Sequence, residues 1–151
     1  MRYSLRPKGF SLIEILAVLA LMAIMVSAVA FSFSKSMSGA RIKASAKDLV
    51  AALRFTRGQA IIKGEDKAVE INVDALSYQI PGKDPVTLPE GLEMKLLTAQ
   101  DEIAEDGTGR IRFYPDGSST GGRVTLIRDQ KEWRIDVAWL TGEVRLEEGR
   151  E

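Results

Sequence analysis

Glu14 is the side chain in this sequence with the clearest chemical task. It lies one residue before Ile15–Phe33, nineteen positions whose only polar members are Ser27 and Ser32. At about 1.5 Å rise per residue such a helix is roughly 28 Å long, close to the thickness of a bilayer's hydrocarbon core. An ionised carboxylate at the edge of hydrocarbon is costly unless a cation meets it, so this position asks for a positive group brought to the membrane. Composition removes most other chemistry. The 151 residues contain no histidine and no cysteine, which takes away the commonest general base, the commonest zinc ligand, thiol nucleophiles and disulfides. Neither a Ser-His-Asp nor a Cys-His system can be built. The expectation is a non-enzyme with no cofactor and no metal, stabilised by packing alone.

The residues before Glu14 give the carboxylate a context. Arg2, Arg6 and Lys8 form a basic start, and Gly9 has no side chain to keep a protease from the backbone. Lys8-Gly9-Phe10-Ser11-Leu12-Ile13-Glu14, followed by the apolar run, resembles the type IV prepilin signature of pilins and of the pseudopilins of type II secretion systems. The resemblance implies cleavage by a prepilin peptidase between Gly9 and Phe10 and N-methylation of Phe10. It also implies that Glu14, then the fifth residue, pairs with the N-terminal amine of a neighbouring subunit. Other readings of the same residues stand beside it. Ala28-Val29-Ala30 is an A-x-A site, so an ordinary signal peptide could release a soluble protein from Phe31. The run could also be a plain transmembrane anchor, with Glu14 only reaching for headgroups. A glutamate at the mouth of the apolar run opposes the signal peptide, and intact mass separates the readings, because the two cut sites lie twenty-one residues apart. Ala17, Ala20, Ala23, Ala28 and Ala30 suit close packing of membrane helices.

These residues need a long helix to carry them. Beyond Gly39 the apolar positions Ile42, Ala46, Leu49, Leu53 and Ala60 recur at mostly three- and four-residue intervals, with Lys43, Lys47, Arg54 and Arg57 largely off that stripe. No proline interrupts residues 10–63, Gly39 and Gly58 are the candidate bend points, and Gly64 is a fitting stop. From Ala68 the period changes to two. Val69–Val73, Leu76–Ile80, Leu92–Leu96, Ile111–Phe113, Val124–Leu126, Trp133–Trp139 and Glu143–Leu146 read as half-buried antiparallel strands separated by turns. The fold class is α+β: a long N-terminal helix packed on an antiparallel sheet or small β-sandwich, as in pilins. The expected organisation is a leader 1–9, a transmembrane helix 10–33, its amphipathic continuation 34–64 and a β-rich periplasmic domain 65–151.

Outside the helix, Ile111-Arg112-Phe113-Tyr114-Pro115-Asp116-Gly117-Ser118-Ser119-Thr120-Gly121-Gly122 is the most distinctive stretch. It reads as a strand, a Pro-Asp-Gly turn and a glycine pair opening the next strand. Phe113, Pro115, Asp116, Gly117, Ser118, Gly121 and Gly122 also resemble the hairpin of the GspH/FimT branch of pseudopilins and minor pilins. A phosphate-cradling loop is the other reading, but there is no Walker lysine. Pro81–Pro89 reads as a connection between hairpins. Asp101, Glu102, Glu105 and Asp106 offer oxygens that could hold calcium, without EF-hand spacing, and read as a solvated loop. Trp133 and Trp139 are placed in the core, with a partner-binding role open to one of them. The tail Glu147–Glu151 is expected to be disordered. Arg110, Arg112, Arg123, Arg128 and Arg134 could form a DNA-binding patch, as in some FimT-like minor pilins, or simply a solvated strand face.

Charge argues for the latter. The chain holds 21 basic and 21 acidic residues, and loss of the three leader cations leaves a net charge of −3, which disfavours nucleic acid. The resemblance thus implies a minor pseudopilin at or near the tip of a type II secretion pseudopilus. It would sit in the bacterial inner membrane with a periplasmic domain. Its partners would be major and minor pseudopilins, the prepilin peptidase and the inner-membrane assembly platform. A minor pilin of a type IV pilus, in assembly priming or DNA uptake, is the alternative.

Overall fold

A computed structural model of the chain describes residues 11–103 and 108–150, without the side chains of residues 28–38 and 150. Gly9, Phe10 and the rest of the leader lie outside the described residues, as do Glu105 and Asp106 of the acidic loop. The chain forms two compact units, Met1–Ser38 and Gly39–Glu151.

In the first unit, helix α1 (Leu12–Lys63) begins with the Ser11 carbonyl accepting from the Glu14 and Ile15 amides at 3.0 and 3.2 Å. The apolar side chains from Leu12 to Val26 are exposed among the described residues. Ser27 turns its hydroxyl back on the Ala23 carbonyl at 2.8 Å, which hides a polar group within the helix. Among the described residues no helix is long and apolar enough to cross a membrane. The last six residues of the Ile15–Phe33 run, 28–33, fall among the undescribed side chains.

In the second unit, α1 carries its apolar stripe inward. Ile42, Ala46, Leu49, Leu53 and Ala60 are fully buried, spaced so that each lies one turn or two above the last. Thr56 joins them because its hydroxyl donates to the Ala52 carbonyl at 2.9 Å instead of seeking water. Gly58 does not break the helix. Gly64, at φ +65°, ends it, and the Glu65 amide donates to the Ala60 carbonyl at 3.3 Å, a Schellman-type closure.

Among the described residues eight strands follow: β1 (Lys67–Asn72), β2 (Ser77–Gln79), β3 (Val86–Thr87), β4 (Glu93–Leu97), β5 (Thr108–Phe113), β6 (Gly122–Arg128), β7 (Lys131–Val137) and β8 (Val144–Arg150). They make two four-stranded sheets, β3-β2-β1-β5 and β4-β6-β7-β8, in which every named pair is antiparallel. The inward residues of both sheets and the helix stripe form one hydrophobic cluster. Trp133, Ile135 and Val137 point into it from β7 while Arg134 and Asp136 point out, the alternation that a one-sided sheet requires.

Several expected boundaries move. Leu76 belongs to a turn at φ +47°, not to a strand, because Asn72 Oδ1 accepts from the Ala75 amide at 2.7 Å and closes the chain early. Pro81–Pro89 contains the short edge strand β3. β7 ends at Val137, leaving Trp139 in a loop and 68% exposed, so only Trp133 is a core tryptophan. The expected disorder of Glu147–Glu151 is corrected as far as Arg150. Those residues extend β8, where Glu148 pairs with Trp133 across the ladder and its carboxylate meets Lys43 Nζ at 2.6 Å.

Two glycines of α1 give opposite expectations. An added Cβ at Gly58 meets nothing within 4 Å, whereas Gly64 has a left-handed backbone. Gly58→Ala should raise stability by about 0.5–1 kcal/mol and Gly64→Ala lower it by about 1 kcal/mol, read as urea midpoints of the detergent-solubilised chain.

Candidate functional site

The sequence points to two places, and the structure treats them differently. Glu14 sits in the first turn of α1, exposed, with no ion pair among the described residues. An acidic side chain there complements the helix dipole, but no cation of the described chain reaches it. Gly9 and Phe10, the expected processing residues, lie outside the described residues.

The residues of the loop motif are brought together in one connection between β5 and β6. Phe113 is fully buried at the end of β5. Tyr114 then starts a tight turn: its carbonyl accepts from the Gly117 amide at 2.9 Å and its amide donates to the Ser118 carbonyl at 3.0 Å. Pro115 and Asp116 occupy the exposed corner. Asp116 Oδ1 accepts from the Ser118 hydroxyl at 2.6 Å and from its amide at 2.9 Å, and these bonds hold the carboxyl below its ordinary value of 3.8. Gly121 and Gly122, at φ +72° and +149°, turn the chain into β6.

This connection is clasped from two sides that the sequence did not reveal. Arg57 of α1 donates from Nε to the Gly117 carbonyl at 2.9 Å, and Arg54, one turn earlier, donates to the Val144 carbonyl at 2.8 Å. Gly142, from the loop before β8, packs so closely that a Cβ there would strike the Gly117 oxygen. Ser119 gives its amide to the Trp139 carbonyl at 2.8 Å and its hydroxyl to the Ala138 carbonyl at 3.2 Å. The motif therefore locks α1, the end of one sheet and the last turn of the other into a common corner. The sequence signal for Arg57 was faint: it lies beside the buried stripe, one residue after Thr56. Nothing marked Gly142 beyond an ordinary turn.

The remaining candidates disperse. Glu102 is buried and paired with Arg112 through two hydrogen bonds of 2.7 and 3.2 Å, so it is not part of a solvated loop. The contact with Glu102 raises the pKa of the Arg112 guanidinium. No group of three or more metal-ligating side chains gathers among the described residues. Arg110 and Arg112 belong to one sheet and Arg123, Arg128 and Arg134 to the other. Arg123 pairs with Asp136, Arg134 with Glu132 at 3.5 Å, and Arg128 donates to the Glu90 carbonyl. These arginines do not form one basic face.

Comparison with known proteins follows the same geography. Residues 45–141 match the family described as type II transport protein GspH, and residues 5–30 match the prokaryotic N-terminal methylation motif. A type II secretion system protein H of Xanthomonas campestris pv. campestris is 37% identical over 138 residues, covering 91% of this chain and 82% of that relative. The protein H of Escherichia coli K12 is 32% identical over 81 residues, 53% of this chain and 48% of its own. Among solved structures, the minor pseudopilin EpsH of the Vibrio cholerae type 2 secretion system superposes with a TM-score of 0.56 at 22% identity, over 71% of this chain and 96% of that one. The type IV minor pilin FimU of Pseudomonas aeruginosa gives 0.53 at 13% identity, over 70% and 91%. Both structures share the fold of an N-terminal helix and antiparallel sheets.

The clasp makes two outcomes measurable. Gly142→Ala should destabilise the chain by ~2–4 kcal/mol, since it combines a left-handed backbone with a clash against a carbonyl, and should show it as a lowered urea midpoint. Asp116, Glu65, Glu143 and Glu148 all have lowered carboxyl pKa values, through hydrogen bonds from Ser118, Lys67, Arg145 and Lys43 respectively. Their stabilisation is present above the ordinary carboxylate range and is lost as pH falls through the folded values. Urea midpoints should hold between about pH 7 and pH 5 and decline below about pH 4.5, with a shallower decline in Asp116→Asn.

Proposed function

The chain belongs to the GspH family of type II transport proteins, and from that premise we propose how it works as a minor pseudopilin. The observation that carries this reading is the family match across residues 45–141 together with a protein H relative 37% identical over 91% of the chain. The role is structural and non-catalytic. A prepilin peptidase cuts between Gly9 and Phe10, the new amino terminus is methylated, and the apolar part of α1 holds the chain in the inner membrane until assembly. The exposed apolar surface from Leu12 to Val26 supports this, because it is left for other helices to cover.

In this mechanism Glu14 decides when the subunit leaves the bilayer. Its carboxylate has no partner among the described residues, and the terminal amine of an adjoining subunit supplies the cation. Pairing removes the cost of an isolated charge near hydrocarbon and fixes the offset between neighbouring helices. The β-unit faces the periplasm and meets other minor subunits at or near the filament tip, where the assembly supports export of folded proteins across the outer membrane. The type IV pilus alternative is not favoured: the family match is to a type II transport protein, and the likeness to a minor pilin at 13% identity carries the fold alone.

Two variants test the proposal in native cells. Gly9→Val should leave the precursor uncut, nine residues heavier by intact mass than the wild-type product. Glu14→Leu should be processed and remain in the membrane, yet lose its crosslinks to other pseudopilins in the filament fraction. Incorporation of Glu14→Leu at the wild-type level would refute the pairing role.

A further inference from the structure

Between the C-terminal end of α1 and the turn after β2 lies a groove of about 390 Å³, lined by Phe55, Lys63, Lys67, Ile80, Pro81 and Lys83 among others. Its outer wall is a hydrogen-bonded turn. The Lys83 amide donates to the Ile80 carbonyl at 3.0 Å, and Gln79 Nε2 donates to the Lys83 carbonyl at 2.9 Å. Pro81 followed by Gly82 at φ +75° is the residue order of a type II turn. This turn sets Lys83 Nζ 4.8 Å from the centroid of the Phe55 ring, and Phe55 itself is 45% exposed.

The charge of the groove is unbalanced. Lys67 meets Glu65 at 2.7 Å, and Lys63 helps lower the Glu65 pKa through space, but neither Lys63 nor Lys83 forms an ion pair among the described residues. Lys83 rests on an aromatic face although Asp84 is its neighbour in sequence. A cation over a ring keeps its outer hydrogens free for an incoming carboxylate. The mature chain is net negative, so these cations run against the charge of the molecule as a whole.

We propose that this groove seats an acidic segment of a neighbouring filament subunit. The segment places carboxylates on Lys63 and Lys83 and one aliphatic or aromatic side chain on the shelf of Phe55, Ile80 and Pro81. Charged rims of this kind select partner and register more than they add affinity. The inference rests on the filament-subunit reading and adds where a neighbour docks and by what chemistry.

The test uses the full-length protein in cells that assemble the filament, with p-benzoylphenylalanine at Gln59, which also lines the groove, or at Ala17 in the apolar helix. The Gln59 position should capture another pseudopilin through a peptide rich in Asp or Glu. Lys63→Glu with Lys83→Glu should cut that yield by about fivefold or more, while Lys63→Arg with Lys83→Arg retains it and capture from Ala17 is unchanged. Capture of a segment without acids, of lipid alone, or of nothing while Ala17 still captures pseudopilins would overturn the docking site. So would a yield indifferent to charge reversal. If Ala17 captures no pseudopilin, the filament reading fails first and the docking site with it.

Discussion

One seam sets the terms for the folded unit: the stripe Ile42, Ala46, Leu49, Leu53 and Ala60, sealed inside a single apolar cluster with both sheets. Neither sheet has another helix in the described chain to cover its inner face. With no disulfide available, the unit depends on packing for its stability. A Leu-to-Ala truncation in such a seam typically costs ~2–5 kcal/mol, against a total of about 5–15 kcal/mol for a domain. A single cavity at Leu53 therefore consumes a large share of what holds the unit together.

Polar bonds then fix what the seam alone leaves free. Apolar burial is non-directional, so a helix could slide along two sheets with little change in buried area. Arg54 and Arg57 prevent that by reaching two separate carbonyls, of Val144 and Gly117, from adjacent turns. The bare backbones of Gly117 and Gly142 let the two loops approach within reach of the same guanidinium. At the other end of β8, Lys43 meets Glu148. The register of α1 is thus pinned at points spread along its inner half.

Much of this was legible in the amino-acid sequence, because the strongest signals are periodic. The stripe at three- and four-residue spacing and the alternation in β1, β5 and β7 report burial directly. The Pro-Asp-Gly turn and the glycine pair reported backbone shape. What escaped was decided by partners distant in sequence. Glu147–Arg150 looked like a solvated tail, since acidic residues have no intrinsic reason to form a strand, yet β7 supplies a ladder and Lys43 a cation. Glu102 looked solvated until Arg112 came beside it. Trp139 continued an alternation that the chain abandons, because the Ala138 amide donates to the Glu143 carbonyl and the chain turns there. Arg57 gave only the faint sign of lying beside the stripe, since a bond to a backbone carbonyl leaves no complementary residue type to notice.

The span between the helix and its last strand has a consequence for timing. Arg54 waits for a carbonyl 90 residues downstream, and Lys43 for a carboxylate 105 residues downstream. At roughly 5–20 residues per second of synthesis, that separation is several seconds or more, while a helix winds in about a microsecond. The inner half of α1 is therefore ready long before β8 can close over it. During that interval the part of its stripe that the second sheet covers stays open, an adhesive surface until the last strands have been made.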